Sequence, residues 1–309
     1  MRRAILLTLG AFALALGLVA AWAWQPDRDR ASLEARYARG PEDFVPIAGL
    51  RLHLRDEGPR DAPAVILLHG FGASLHTWDG WAAALSDRFR VLRFDLPGFG
   101  LTGPDPTGDY RAARAHDVIA AVMDRSGVAR AAFVGSSMGG RIAWSFAAAH
   151  PDRVERLVLI APDGFESPGR SYGMPTRVPV LARLLPWFMP EALVRWSLAG
   201  AYGDPARMTE TTVRRTYEML IAPGVRSAIL DRIAGHVLQP PEERLRAISA
   251  PVLVLWGEKD RAIPPARAED YRANLRDVRV FVYPGLGHLP FEEDPAATVA
   301  VVREFLDGR

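Results

Sequence analysis

Short apolar runs alternate with helical stretches from about Phe44 onward, and this alternation limits the folds that the chain can adopt. Several runs are uninterrupted and rich in β-branched residues, as expected for parallel strands covered on both faces. The predicted strands are residues 50–56, 65–69, 91–95, 132–135, 157–160, 252–256 and 278–283. The predicted helices include residues 78–86, 112–125, 138–150, 265–274 and 296–306. Alternating units of this kind predict an α/β fold with a mostly parallel sheet.

The alternation stops between residues 163 and 241, where no strand pattern is present. This segment is rich in Pro, Trp, Met, Leu and Arg, and it has helical periodicity around residues 178–185, 191–198 and 209–221. An insertion of this size between two core strands predicts a helical cap over one edge of the sheet. Its apolar composition indicates a pocket for an apolar substrate. We therefore expect a core at residues 44–162 and 242–309, and a cap at residues 163–241.

The candidate nucleophile is Ser137, in the sequence Gly135-Ser136-Ser137-Met138-Gly139, which fits the G-x-S-x-G pattern. Five residues alone are a weak signal. The context strengthens it, because a strand pattern leads into the motif and a helical pattern leads out of it. A sharp strand-to-helix turn needs small neighbours, and two glycines supply them. Ser137 would then lie at a helix N-terminus, where the dipole and the free N–H groups favour a developing anion.

A second Gly-rich loop, His69-Gly70-Phe71-Gly72, follows a predicted strand. Such a loop can direct the backbone N–H of Phe71 at an oxyanion, and the N–H of Met138 would be the second donor. Each donor of this kind stabilises a transition state by about 3 kcal/mol. We expect His69 itself to have a structural role.

A serine hydroxyl needs a general base to attack a carbonyl at neutral pH, and His288 is the best candidate of the seven histidines. It lies in a Gly/Pro loop after the last strand pattern. The base needs a carboxylate to orient it. Asp260 follows a strand and is expected at the same edge of the sheet, while Asp163 is the second candidate. We expect Glu258 and Glu292 to be solvated.

The N-terminal residues 4–24 form an apolar run without charge. As a helix the run would be about 30 Å long, which matches the hydrocarbon core of a bilayer. Arg2 and Arg3 precede it, so its N-terminus would stay cytoplasmic and the body would lie on the extracytoplasmic side. We favour an uncleaved inner-membrane anchor at residues 1–25, followed by a linker or short helix at 26–43. The alternatives are a signal peptide cleaved after Ala21-Trp22-Ala23, with secretion of the mature chain, and a buried or cytosolic helix.

The composition excludes several classes of function. The chain of 309 residues has no Cys, which rules out disulfides, thiolate metal sites and Cys nucleophiles. Basic and acidic side chains number 38 and 36, for a net charge of +2, and no basic run or aromatic-interleaved patch indicates nucleic-acid binding. The oligomeric state stays open.

The combined motifs HGFGAS, DLPGFG, GSSMGG, LWGEKD and GHLPFEEDP resemble the α/β-hydrolase superfamily over about residues 44–307. The resemblance is greatest to the branch of bacterial lipases, esterases and meta-cleavage product hydrolases, which cleave carbon–carbon bonds. It implies an eight-stranded sheet, a cap inserted after strand six, and a Ser137–Asp260–His288 triad. It also implies that neither a metal nor an organic cofactor is needed.

Three functions remain open, and two departures from the family pattern favour the first of them. The first is a serine hydrolase of largely apolar carboxylic esters that acts through an acyl-enzyme. The second is a carbon–carbon bond hydrolase of dienoates, and the third is a non-catalytic binding protein of the same fold. Meta-cleavage hydrolases usually carry Asn where this chain has Ser136, and an exported location is unusual for them. Relatives with an Asp nucleophile are disfavoured because position 137 is Ser.

Overall fold

A single eight-stranded sheet forms the centre of the computed structural model, which describes residues 1–167 and 170–308. The strands are β1 (Phe44–Ile47), β2 (Leu50–Glu57), β3 (Ala64–Leu68), β4 (Arg90–Phe94), β5 (Ala131–Ser136), β6 (Val154–Ile160), β7 (Val252–Gly257) and β8 (Val278–Tyr283). Their order is β1-β2-β4-β3-β5-β6-β7-β8. Strand β2 runs antiparallel to β1 and β4, whereas the pairs from β4 to β8 are parallel. The predicted α/β fold with a mostly parallel eight-stranded sheet is therefore confirmed.

Helices cover both faces of the sheet. The helices of the described residues, including those of the cap and the N-terminus, are α1 (Arg2–Ala23), α2 (Arg30–Tyr37), α3 (Asp79–Leu85), α4 (Ala112–Arg125), α5 (Met138–Ala149), α6 (Glu191–Ala201), α7 (Glu210–Leu220), α8 (Val225–Gly235), α9 (Glu242–Ala247), α10 (Ala268–Asn274), α11 (Pro290–Glu293) and α12 (Pro295–Leu306). Short 3₁₀ helices are Pro41–Asp43, Leu75–Trp78, Val180–Leu184, Pro205–Arg207 and Pro265–Arg267.

The two faces of the sheet bury separate cores, because successive side chains of a strand point to opposite faces. In β3, Ile66 and Leu68 pack with α4, α5, α9 and α10 on one face. Val65 and Leu67 pack with α3 and α12 on the other. All four side chains are fully buried. Because both faces of these strands are buried, their sequences are continuous apolar runs.

The cap lies between β6 and β7. Its helices α6 and α7 pack together around a small cluster formed by Met189, Val194, Tyr217 and Ile221. The stretch predicted as helix at residues 178–185 is instead the short 3₁₀ helix Val180–Leu184, which follows Pro179.

For two of the elements that the prediction lacked, the sequence gives the reason. Strand β1 contains Pro46, which only an edge strand accepts, and β1 is the first strand of the sheet. Helix α8 buries Arg226 and Arg232 together with Val225 and Ile229, so its sequence lacks the apolar stripe of an amphipathic helix.

The N-terminal helix α1 leaves the body of the protein. Its segment Ile5–Ala23 is long and apolar enough to cross a membrane, with a mean hydropathy of 2.3, and none of it is buried. The residues after it, predicted as a linker or short helix at 26–43, pack onto the body. Helix α2 buries Leu33, and both Arg36 and Tyr37 bind the carboxylate of Glu218 in α7.

Candidate active site

Ser137 lies in a sharp turn between β5 and α5, with φ +52° and ψ −116°. This left-handed conformation is uncommon for a residue with a side chain, so the turn holds local strain. Three backbone hydrogen bonds stabilise it. The N–H of Ser137 donates to the carbonyl of Ile160 (2.9 Å), and the carbonyl of Ser137 accepts from the N–H groups of Arg141 (3.0 Å) and Asp163 (3.1 Å). The turn therefore holds Ser137 at the carboxyl edge of the sheet.

The glycines that flank Ser137 are required by close packing of the backbone. A Cβ on Gly135 would collide with the carbonyl oxygen of Gly139, and a Cβ on Gly139 would collide with that of Leu68. Helix α5 therefore approaches the ends of β3 and β5 more closely than a side chain would permit. This close approach of the backbones is the physical reason that the turn needs small residues on either side of Ser137.

The loop after β3 passes beside the nucleophile turn. A Cβ on Gly70 would lie 3.4 Å from the Cβ of Ser137, so the backbone next to Phe71 is close to the serine. His69 secures this loop. Its Nδ1 donates to the carbonyl of Gly70 (2.8 Å), and its Nε2 accepts from the N–H of Leu96 (2.9 Å). Complete burial lowers the pKa of His69, which favours the neutral ring that this bonding pattern requires.

Met138, the other predicted oxyanion donor, is the first residue of α5. The N–H groups of a first helical turn have no carbonyl one turn earlier in the same helix to bind. The amide of Met138 therefore remains available at the end of β5, where the helix dipole is positive.

His288 and Asp260 are in direct contact. The Nδ1 of His288 lies 2.7 Å from Oδ2 of Asp260, and both residues are buried. The same Oδ2 accepts the indole N–H of Trp256 (3.1 Å), while Oδ1 accepts the backbone N–H groups of Ala262 (2.8 Å) and Ile263 (2.9 Å). Four donors thus orient this carboxylate. An imidazole that donates Nδ1–H to Asp260 keeps a lone pair on Nε2 for a general base.

Glu293 supports the loop that carries His288. Its Oε1 accepts the N–H of Gly287 (2.6 Å), and its Oε2 accepts the N–H of Gly203 at the end of α6 (2.9 Å). The N–H of His288 donates to the carbonyl of Ala201 (2.7 Å). This buried carboxylate therefore joins the histidine loop to the cap.

Ser137 and His288 line the same cavity, of about 440 Å³, which lies between the core and the cap. Its wall is largely apolar. The core contributes Gly70, Phe71 and Phe291, and the cap contributes Leu185, Met189, Leu193, Val194, Trp196, Leu198, Leu220, Ile229 and Ile233. No Arg or Lys among residues 1–167 and 170–308 lines it. The cavity can hold an extended apolar group beside a nucleophile and a base.

Glu292 also lines this cavity, and the expectation that it is solvated was wrong. Its side chain is largely buried, and it accepts hydrogen bonds from Thr77, from Tyr202 (2.9 Å) and from Arg215 (3.2 Å). Two of these three donors, Tyr202 and Arg215, belong to the cap. The local sequence around Glu292 gives no sign of either contact. Burial and the adjacent Glu292 carboxylate raise the pKa of Tyr202 well above its ordinary value.

Asp163, the second candidate for the triad acid, is bound elsewhere. Its Oδ2 lies 3.3 Å from Nε of Arg141 and 3.1 Å from Nη2 of Arg170. Burial alone would raise the pKa of Asp163, but these two guanidinium groups bring it below the usual value. The carboxylate that contacts His288 is that of Asp260.

Arg141 lines a different cavity, of about 300 Å³, together with Arg111 and Arg244. Ser137 and His288 are not among the residues that line it. The part of the chain that the structure describes holds no group of three His, Asp or Glu side chains placed to bind a metal ion.

Sequence reasoning missed Glu293 and the cap residues that bind Glu292. Acidic residues just before a helix are usually solvated, and the one signal for another role was their position four and five residues after His288. Their partners Gly203 and Tyr202 lie about ninety positions away in the chain. No local pattern shows contacts of that separation.

The comparison with protein families agrees with this fold. Residues 65–301 match the model of the alpha/beta hydrolase family, which is more than half of the chain. The chain belongs to the alpha/beta hydrolase family.

Three relatives illustrate the range within that family. A 2-hydroxy-6-oxononadienedioate/2-hydroxy-6-oxononatrienedioate hydrolase of Burkholderia vietnamiensis is 30% identical over 285 residues, which are 89% of this chain and 96% of the relative. A bacterial membrane phospholipase A of known structure is 26% identical, with a TM-score of 0.74, and the match covers 100% of this chain and 99% of that one. A meta-cleavage product hydrolase of Pseudomonas fluorescens shares the fold at 23% identity, with a TM-score of 0.74 over 86% of this chain and 99% of its own.

Proposed function

We propose that this protein is a serine hydrolase that cleaves carboxylic esters with a large apolar acyl group through an acyl-enzyme. The observation that carries the proposal is an apolar cavity that is lined by both Ser137 and His288. A nucleophile and a base at one end of an apolar chamber suit an acyl chain whose carbonyl carbon lies at the serine.

In the proposed mechanism, Ser137 Oγ attacks the acyl carbon and His288 Nε2 takes the hydroxyl proton. Asp260 holds the ring through Nδ1, and it stabilises the imidazolium that forms. The amides of Phe71 and Met138 bind the oxyanion. The imidazolium then gives its proton to the departing alkoxide, which leaves the acyl group on Ser137. His288 next activates a water molecule, whose attack releases the acid and restores the serine.

The charges of the cavity lining favour a substrate whose bound portion is uncharged. The acidic group that faces the cavity is Glu292, and the guanidinium nearest to it, that of Arg215, is bound to that carboxylate. A dicarboxylate placed here would meet no free cation among the described residues that line the cavity, because the guanidinium of Arg215 is already bound to Glu292. Burying an unpaired charge costs several kcal/mol.

A second function, carbon–carbon bond hydrolysis of a dienoate, is favoured by the name of the Burkholderia relative. The residues of this chain support it less well. A dienedioate carries two carboxylates, and the guanidinium of Arg141, which could bind one, lines another cavity. Ser136 also stands where meta-cleavage hydrolases usually carry Asn.

Parallel assays on one preparation separate the two reactions. We expect the full-length protein, in detergent, to hydrolyse p-nitrophenyl esters with a kcat/KM that rises from acetyl to longer acyl chains. We expect little turnover of a ring-fission dienoate. A much larger kcat/KM on the dienoate would establish the carbon–carbon reaction instead. A Ser137→Ala variant controls for contaminating esterases.

We further propose that residues 4–24 anchor the protein in the inner membrane, with the catalytic body on the periplasmic side. An unburied apolar helix of this length supports a membrane location, as does a match to the membrane phospholipase that covers the whole chain, α1 included. Sequencing the N-terminus of the membrane-extracted protein tests the anchor. Retention of residues 1–23 is expected, and a mature chain that starts at Trp24 would establish cleavage and release.

A further inference from the structure

The cap carries a group of exposed apolar side chains in the segment of residues 180–196. We call this group the apolar cap face, and its members are Val180, Leu181, Leu184, Trp187, Leu193 and Trp196. Val180 and Leu181 are each 78% exposed, and Trp196 is 75% exposed. Soluble monomers rarely expose apolar side chains of this size in a group, and such groups mark sites of interaction.

This face begins where the N-terminal helix ends. The ring of Trp24 packs edge-on against Phe188, with 5.5 Å between the ring centroids. The N–H of Gln25 donates to the carbonyl of Trp187 (2.8 Å). The C-terminal end of α1 is therefore attached to the segment that carries the face, so the surface of any membrane that α1 crosses adjoins the face.

The residues after α1 strengthen this attachment. Arg226 donates to the carbonyl of Gln25 (2.7 Å) and to Oδ1 of Asp27 (2.7 Å), and Oδ2 of Asp27 accepts the N–H of Gly224 (2.9 Å). The guanidinium of Arg226 is almost fully buried. The cap and the end of α1 are thus connected by ring packing and by an ion pair between the buried guanidinium of Arg226 and the exposed carboxylate of Asp27.

Two arginines lie beside the apolar cap face, whereas the nearby acid Glu191 is paired with Arg195. Arg177 and Arg183 are exposed and flank Val180 and Leu181 in the chain. Neither forms an ion pair with any carboxylate of the described residues. Apolar and aromatic side chains beside unpaired arginines are typical of surfaces that bind anionic lipid, where the guanidinium groups meet phosphates.

The cavity with Ser137 opens on this same face. Leu193 and Trp196 line the cavity and also belong to the apolar cap face, with Trp196 mostly exposed. An acyl chain that leaves a bilayer at this point could therefore enter the cavity without crossing water, where exposure of its methylene groups is unfavourable.

We propose that the apolar cap face docks on the surface of an anionic phospholipid bilayer, and that the esters which reach Ser137 enter the cavity directly from that bilayer. The second part rests on the proposed ester hydrolase function, and the first part does not. The substrate class is accordingly a membrane lipid ester rather than a water-soluble one.

Site-directed fluorescence tests the docking, and the absence of Cys makes the labelling specific. The full-length protein carrying Leu181→Cys is labelled with an environment-sensitive dye and reconstituted in vesicles of phosphatidylethanolamine and phosphatidylglycerol. Part of the lipid carries a nitroxide high on its acyl chain. The matched control is Asp152→Cys, an exposed position just before β6 at the opposite edge of the sheet from Ser137.

Docking predicts strong nitroxide quenching at position 181 and little at position 152. Equal, weak quenching at the two positions would overturn the proposal. So would a label at position 181 that is shielded from aqueous iodide but not quenched by nitroxide lipid, because a protein surface, such as a second copy of this chain, would then cover the face.

Kinetics test the entry of the substrate. The double variant Val180→Ser/Leu181→Ser changes two exposed residues that do not line the cavity. We expect its activity on phospholipid in vesicles to fall about tenfold, since two apolar side chains leave the bilayer interface. Its activity on a water-soluble short-chain ester should stay within about twofold of the wild type, because exposed substitutions seldom disturb a fold.

An equal fall on both substrates, or no fall on either, would overturn entry from the bilayer. A wild type that hydrolyses neither substrate would contradict the proposed function instead, and the quenching result would still decide the docking.

Discussion

Oδ2 of Asp260 lies 2.7 Å from Nδ1 of His288, although 28 residues separate them in the chain. Asp260 follows β7, and His288 follows β8, the neighbouring strand. Because parallel strands end at the same edge of a sheet, the two loops meet beside the turn that holds Ser137. Each of these residues has a different role in the proposed mechanism, so substitutions can test the roles one at a time.

Replacing Asp260 by Asn should lower kcat/KM on an ester by about 10⁴-fold, the size of this effect in other triads. The amide cannot stabilise the imidazolium, and it favours the wrong tautomer of His288. The matched control is Asp163→Asn at the acid that contacts Arg141 and Arg170. We expect this control to change kcat/KM far less. A larger loss from Asp163→Asn than from Asp260→Asn would contradict the assignment.

The two adjacent serines make a second matched pair. Ser137→Ala should abolish ester turnover, with kcat lower by at least about 10⁴-fold. Ser136→Ala should leave it intact. The hydroxyl of Ser136 is buried, and no described residue hydrogen-bonds to it, so its removal should leave stability equal or about 1 kcal/mol higher. Steady-state kinetics and thermal unfolding of both variants check this. An inactive Ser136→Ala enzyme would show that Ser136 takes part in the reaction.

Glu293 is expected to act as a positioning residue. Glu293→Gln replaces one of its two acceptor oxygens with a donor, which cannot bind the N–H of Gly287 or Gly203. We expect kcat to fall about ten- to a hundredfold as the histidine loop shifts, with a smaller change in KM. Glu304→Gln, at an exposed position of α12, is the control. If the two variants have equal kcat, the histidine loop does not depend on Glu293.

The buried pair of Asp95 and His53 predicts a dependence of stability on pH. Burial alone would raise the pKa of Asp95, but the neighbouring His53 brings it well below the usual range. A carboxyl group with a lowered folded-state pKa stabilises the fold above its unfolded pKa of about 3.9, and this contribution is lost as the pH falls further. Asp95 also accepts the N–H groups of Leu75, which follows the loop His69-Gly70-Phe71-Gly72, and of Leu101, which follows the motif DLPGFG.

Asp95→Asn should therefore lower the free energy of unfolding by about 3–5 kcal/mol at neutral pH, because it leaves His53 without its buried partner. The difference from the wild type should shrink as the pH falls below about 4. Unfolding in urea across this pH range measures it. A constant difference at every pH would show that the charge of Asp95 is not the cause.

The core and the placement of the candidate site residues could be predicted from the sequence because both leave local signals. Strands such as β3 are apolar on both faces, which produces the continuous run at Val65–Leu68. The strained turn at Ser137 needs glycines that the motif displays. Asp260 and His288 were predicted at one edge of the sheet from the strands that precede them.

The rest depends on contacts between distant parts of the chain. Glu293 contacts Gly203 across the cap, and Arg36 in the predicted linker contacts Glu218 in α7. Helix α8 buries two arginines whose acceptors, among them Gln25 and Pro97, lie elsewhere in the chain. A sequence pattern reports burial through apolar residues, so elements that are buried through polar contacts give no such signal.

The role of Ser137 as the nucleophile is tested most directly by reacting the full-length protein with a serine-reactive fluorophosphonate and measuring the mass of the covalent adduct. Peptide mass spectrometry should place one phosphonyl group on Ser137, and His288→Ala should slow its formation strongly because the serine loses its base. Labelling of another residue, or no adduct on Ser137 in a folded wild-type protein, would show that Ser137 is not the nucleophile. The absence of any adduct would favour a non-catalytic binding protein.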